Sequence, residues 1–425
     1  LEHAVEAAPD RGCTVWFASG IYRGRHEIER RFTDRIVFRA VEPYRAVLQS
    51  NGMILDVGDR ASRITFRGFR FRQTPGASGV AVYVSGGNGA DPAPNRLAFV
   101  DNIFHDAFDE DLLKIRSRAR SIIVRGNVFY NQGSNEQHID VNSVTDVMIE
   151  GNVFFNDLAA SDRIDDDTTK HFIVVKDSNG GEDGLRGSER ITIRRNVFLN
   201  WQGGAESFVG IGNDGKPYHE AKQVRIESNL LVGNGRDRMN SPLTVYGARG
   251  VTFVNNTIVG DLPSDAFAFE VNIKGRNPKN RGIRFWNNIW CDPTGTMSQF
   301  SDGVRANTTE LTFDNNLYWN GGRRIPSGDL VSPLRRDARR IVRDPRLATN
   351  QGSVTLPVWD GSAFESGETS IRAEFVRLVQ AYGRIPEDSP AVGRALRSVA
   401  AARDILGRTW VRNPDVGAFE ARPAI

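Results

Sequence analysis

One template recurs along this 425-residue chain and limits what the chain can fold into: [Ile/Val/Leu]-x-[Ile/Val/Phe]-x-x-Asn-x-[aromatic or aliphatic]. Its asparagines are Asn102, Asn127, Asn152, Asn196, Asn229, Asn256, Asn288 and Asn316. Apolar residues stand five and three places before each, as in Ile122/Val124/Asn127 and Ile191/Ile193/Asn196. Ile64–Phe71 carries the same apolar pattern with Phe69 in the asparagine position. Successive asparagines lie 25, 25, 44, 33, 27, 32 and 28 residues apart, the range of a solenoid repeat.

Period-2 alternation over short segments specifies half-buried strands, because neighbouring side chains face opposite ways. Two or three such strands per repeat fit one coil of a parallel β-helix, with equivalent positions stacked ~4.8 Å apart. The asparagines are then expected to form an internal ladder at a turn, each amide satisfying backbone groups and the next amide. A β-sandwich gives no reason for one residue type to return at one phase. The expected fold is therefore all-β, a single parallel β-helix.

Residues 61–320 would form the core, of about nine or more coils. Residues 1–60 would supply a cap and first coil, with a short helix over Leu1–Ala8. Residues 321–425 would be an extension packed on the last coils, with a helix around Ile371–Tyr382 and strand-and-turn over Asp404–Arg408 and Asp415–Glu420. Such covers protect the unpaired strand edges at a solenoid's end.

Composition excludes several classes. With 39% hydrophobic and 25% charged residues the chain is not of disordered type. No apolar run reaches the ~18–20 residues of a membrane helix. A formal charge of +3 argues against nucleic acid as a partner. Cys13 and Cys291 make neither a disulfide framework nor a zinc spacing. The chain starts at Leu1 with no visible secretory leader, as a processed start would. Only seven of the 55 basic residues are lysines, so each lysine is an uncommon choice.

The ladder, with the closing SPAVGRA…DILGR…DVGAFE run from Ser389, resembles bacterial right-handed parallel β-helix proteins of the polysaccharide lyase type. Pectate lyases, chondroitinase B and some alginate lyases belong to that group. The resemblance implies a right-handed coil and an acidic polysaccharide as partner. The same fold carries glycoside hydrolases, uronate epimerases and non-catalytic glycan-binding proteins, so chemistry must be read from side chains.

A second strand after each ladder strand can be set in register by Ile115, Val141, Val175, Ile211, Val245 and Ile273. Alternation then turns Arg116, Asn142, Lys176, Gly212, Tyr246 and Lys274 outward, and also Lys114, Asp140, Val174, Gly210, Thr244 and Asn272. His138 would join them two places further back. Polar outward residues on strands are ordinarily just solvated, but six of them gather on three neighbouring coils, with glycines beyond as an open floor. The longest coil, between Asn152 and Asn196, places its extra residues on both sides of Lys176, and long insertions on one side commonly build a binding face. The following Asp214–His219 run brings Lys216, Tyr218 and His219 to the same end.

β-Elimination at a uronate needs the C5 proton removed, the carboxylate neutralised and the C4 oxygen expelled. Lys176 is the expected base, its pKa lowered by cationic neighbours. Arg116, Lys114 and Asn142 would hold the carboxylate. His138 or Tyr218 would return a proton to the leaving oxygen, with Asp140, Lys216 and His219 binding substrate. Asp109, Glu110, Asp111 and Glu136 would supply oxygens for calcium, with Asp165–Asp167 a weaker set. A hydrolase would instead need paired carboxylates on adjacent coils, and Asp140 has Lys114 and Val174 beside it. An adhesin would show stacked outward aromatics, which are few, chiefly Tyr83 and Tyr246. A monomer, secreted or periplasmic, is expected because such polymers lie outside the cytoplasm.

Overall fold

The computed structural model describes residues 1–87, 92–161, 163 and 169–422. Three parallel sheets of 11, 12 and 10 strands run the length of the molecule. Each coil contributes one strand to each sheet in turn, as in Arg120–Arg125, Val128–Tyr130 and Ile139–Asn142. This is the expected single right-handed parallel β-helix. Residues 1–60 hold two complete coils before Ser62, where a cap and one coil were expected. A helix over Glu2–Ala7 covers the first of them. No helix among the described residues is long and apolar enough to cross a membrane.

The repeated template spans two strands, not one, with the asparagine at the turn between them. All eight asparagines are fully buried. From Asn127 onward each side-chain oxygen accepts from the preceding asparagine's backbone and side-chain amides: Asn152 Oδ1 lies 2.8 Å from Asn127 N and 3.0 Å from Asn127 Nδ2. The residue just before takes left-handed φ, from 51° at Asn255 to 67° at Gly151, which explains the Gly, Asp, Ser and Asn found there. Asp337 ends the ladder, accepting from the backbone of Asn315 and Asn316 at 2.8 and 2.9 Å. Inside the coil, Phe71, Phe104, Phe129, Phe154 and Phe198 form a second ladder with centroid spacings of 4.6–5.2 Å.

The C-terminal extension differs from expectation in reach and in content. It runs back along the outer face of the second sheet as far as Tyr44, whose hydroxyl accepts from Ile371 N. There Ile103, Val128, Val153, Val197 and Leu230 pack against Phe375, Leu378, Val416 and Phe419 in a second apolar core. The expected helix is present, Ile371–Leu378 running on into a wider helical turn over Val379–Gly383, whereas the 404–420 run forms turns without strand. That run is anchored to the ladder corner, Gly417 N donating to Asn287 O and Asn255 Nδ2 to Asp415 O. Apolar side chains on the second sheet's outer face drove this cover. The third sheet carries polar residues on its outer face and is not part of that second core.

Candidate functional site

The third sheet pairs Lys114 with Asp140 and Arg116 with Asn142, then Asp140 with Val174 and Asn142 with Lys176. The expected register therefore holds across these coils. It slips later: Val245 pairs with Val271, not Ile273, so Tyr246 faces Asn272 and Thr244 faces Glu270. A two-residue slip keeps each side chain on its face and changes only its neighbours.

Lys114 and Lys176 converge on Asp140. Lys114 Nζ lies 3.3 Å and Lys176 Nζ 3.8 Å from Asp140 Oδ2. The Asp140 carboxylate is fully buried, and neither oxygen has a hydrogen-bond donor at bonding geometry. Lys114 also donates to Asp111 at 2.9 Å, and Lys176 lies 3.8 Å from Asp214. Burial pushes the Asp111 carboxyl up to about 7 against the pull of Lys114. The expectation that cationic neighbours lower the Lys176 pKa is overturned. Asp140 above all, and Asp214 next, raise it against the effect of burial.

Arg116 differs from both lysines. Its guanidinium donates to Asn179 Oδ1 at 2.7 Å and Ser117 Oγ at 3.1 Å, both neutral groups. Its charge thus remains available to an anion. Asn179 stands in the long insertion after Lys176, which also supplies Ser178. That serine receives the Asn142 amide at 2.8 Å and donates its own N–H to Asn142 Oδ1 at 2.9 Å. So the insertion braces the site, and Asn142 is occupied by it.

His138 faces the interior. It is fully buried, stacked 4.3 Å from Phe172, with Nε2 2.9 Å from Asn156 Oδ1. Burial lowers its pKa to about 3, so it is a neutral core imidazole with no route to substrate. The reason is the corner before the strand, which bends both His138 and Ile139 inward and interrupts the alternation. The loop residues also scatter. Burial, with Asp177 adding to it, raises the Tyr218 phenol's pKa. His219 Nε2 reaches the Lys279 carbonyl at 3.1 Å. Lys216 gives its backbone N–H to Glu220 and its carbonyl to Asn277, which fixes the loop.

The glycine floor is also filled. The His171 ring sits where a side chain on Gly210 would project, 2.8 Å from its Cβ position, and the Tyr246 carbonyl would lie 1.8 Å from a Gly212 Cβ. These glycines permit close packing. His171 is itself buried, with Nδ1 2.7 Å from Ser207 Oγ and Nε2 3.3 Å from Glu206. The sequence reading missed His171, Glu206, Asp214 and Glu270. They lie in loops, or beyond the slip, where alternation gives no signal.

Among the described residues the four acids named for calcium are not brought together as one cluster. Asp109 Oδ2 accepts from Gly79 N at 2.7 Å. Glu110 and Asp111 turn to the Lys114 ammonium, at 3.9 and 2.9 Å. Burial raises the Glu136 pKa, so its charged form is disfavoured. An internal ammonium already stands where the carboxylates meet, and no group of three or more such side chains converges as a metal site among the described residues. Asp165–Asp167 lie outside the described residues.

No protein-family model matches the sequence, and no curated protein matches it either. Solved structures do. The chain is similar to pectate lyase Pel9A at a TM-score of 0.52 and 13% identity, over 96% of this chain and 88% of that one. The likeness is one of fold. It places the chain on the parallel β-helix used by polysaccharide-acting enzymes. An alginate lyase from Paenibacillus sp. (TM-score 0.42, 15% identity, 78% of this chain and 96% of that one) also matches. So does the A-module of the Azotobacter vinelandii mannuronan C-5 epimerase AlgE6 (0.46, 12%, 81% and 94%).

Proposed function

We propose that this protein is a polysaccharide lyase that cleaves a uronate-containing polymer by β-elimination on the outer face of the third sheet. The observation that carries the reading is the row Arg116–Asn142–Lys176 on three consecutive strands. It sets a guanidinium that has no carboxylate partner among the described residues two strands from a lysine held by long contacts. Arg116 would bind and neutralise the uronate carboxylate, stabilising the enolate that forms when C5 loses its proton. Lys176 would take that proton. Tyr246, an outward hydroxyl on the same sheet near Glu270, would take the donor role first given to Tyr218 and His138. Pel9A, whose fold this chain shares, is by name a pectate lyase. Action on such polymers places the protein outside the cytoplasm, secreted or periplasmic.

Purified protein offered alginate, pectate, glycosaminoglycans and bacterial exopolysaccharides should release products with an ultraviolet-absorbing unsaturated uronate end. New reducing ends without that absorbance would sink the lyase reading. They would favour a second one, for which the structure gives a specific reason. Glu270 and Asp302 face each other on adjacent strands, the paired carboxylates a glycoside hydrolase requires. Burial first, with Asp302 adding to it, raises the Glu270 pKa as a general acid needs. Asp302 borders a cleft of about 720 Å³ lined also by Arg238, Asp265, Thr296 and Gln299.

Two results are expected of the lyase. Lys176 must lose its proton to act, and its carboxylate neighbours raise its pKa above the ordinary 10.5. Turnover should therefore still be climbing above about pH 9. Asp214→Asn removes one of those neighbours and should move the rise to lower pH, whereas a pH profile that is flat in both proteins would remove Lys176 as base. Because Lys114 occupies the acidic cluster, turnover should also be unchanged by a metal chelator. A loss restored by added calcium would show that the acids rearrange around the ion.

A further inference from the structure

A second charged site lies at the ladder corner, where the first and second sheets meet and the C-terminal extension crosses. A cavity of about 250 Å³ opens there between Arg125, Arg195, Arg372, Glu150 and the apolar Ile405 and Leu406. Glu150 is shared by three guanidiniums, with Arg125 Nε at 2.8 Å, Arg195 Nη2 at 2.7 Å and Arg194 Nε at 2.5 Å. The other carboxylate at the rim, Asp101, already pairs with Arg67 at 2.9 Å. Glu150 and Asp101 thus meet four guanidiniums, of which Arg194 also lies 3.8 Å from Glu227, and Arg372 is a fifth at the rim.

Arg372 reaches in from the extension's helix. Its guanidinium donates to the Leu406 carbonyl at 2.9 Å, which fixes it at the cavity, with no carboxylate bonded to it among the described residues. Burial and the nearby Arg195 both lower its proton affinity, whereas the Asp404 carboxylate acts against them. Arg195 is also the odd member of its row. The ladder-preceding residues elsewhere are Gly, Asp, Ser or Asn, but here an arginine holds φ of 53°. A long side chain in that conformation is costly, and position 195 bears it with its guanidinium directed at Glu150.

We propose that this cavity binds a single oxyanion, a carboxylate, sulfate or phosphate group, between Arg195 and Arg372. Planar guanidiniums recognise such groups through paired N–H donors, and an anion between Arg195 and Arg372 would relieve the repulsion of the two like charges. The apolar wall of Ile405 and Leu406 would take a small ring or chain attached to that group. The site lies on another edge of the coil from Lys176 and does not depend on the lyase reading.

The test is calorimetric titration of the intact protein with inorganic sulfate, inorganic phosphate and glucuronate, at ionic strength held constant with chloride, with glucose as the neutral control. Saturable binding of at least one anion and none of glucose is expected. Tighter binding of glucuronate than of sulfate would assign a sugar carboxylate, and the reverse an inorganic or sulfate-borne group. Arg372→Gln, at an exposed position that should fold normally, is expected to weaken binding at least tenfold, and Arg372→Lys less. Lys176→Met should leave the Arg372-dependent part of that binding unchanged. Absence of saturable binding by all three anions, or affinity undiminished in Arg372→Gln, would overturn the proposal.

Discussion

Lys176→Arg should fold like the parent and lose roughly 10²–10⁴-fold of turnover, the usual worth of a general base. The choice of arginine follows from the geometry. Lys176 stands 3.8 Å from both Asp140 and Asp214, so a cation is wanted there even if no base is. Arginine keeps the charge and cannot give up its proton in the working range. Lys176→Met removes charge and base together. Asp140, still 3.3 Å from Lys114, would keep one counter-charge, so a stability loss of about 1–2 kcal/mol should accompany the loss of turnover. Turnover measured on the best substrate, beside urea midpoints for both variants, separates the roles. An active Lys176→Arg protein would make the residue an electrostatic element and move the base elsewhere.

Asn152→Ala should be among the most destabilising single substitutions available in this chain. Its side chain accepts from Asn127 N and Nδ2 at 2.8 and 3.0 Å, and donates to Val124 O and Asn196 Oδ1 at 3.0 Å each. Alanine strands several of these groups where no water reaches, since Asn127, Asn152 and Asn196 are fully buried. At about 1–3 kcal/mol for each buried group left unpaired, the loss should be about 3–5 kcal/mol. Coils are coupled mainly to their neighbours, so the damage should centre on the coils carrying Asn127 and Asn196. Denaturant unfolding followed by circular dichroism, with amide exchange to locate the opening, would measure it. A shift within about 0.5 kcal/mol, as for a surface site, would mean that the ladder contributes little.

The coil was legible in the sequence because its cause is local and repeated. A strand needs alternation, the turn after it needs a residue that tolerates left-handed φ, and a buried backbone corner needs an amide that can both donate and accept. Those three demands recur at every coil from Asn102 to Asn316, so one residue type at one phase reveals them. The outward row Lys114–Asp140 and Arg116–Asn142–Lys176 followed from the same alternation.

The tertiary structure decided what alternation does not govern. At corners the chain bends, which is why His138 lies in the core and His171, from a loop, covers Gly210. Register over an irregular loop is set by packing: the slip at Val271 brought Glu270 opposite Thr244, and the register of the next strand sets it opposite Asp302. The electrostatics of Lys176 depend on Asp214, 38 positions on in sequence and 3.8 Å away in space. The path of the C-terminal extension was set by apolar side chains on the second sheet's outer face, which period-2 reading treats as solvent-facing until a cover is known. Repetition along the chain determined the scaffold. The charge of each site residue was left to neighbours that only the folded coil brings together.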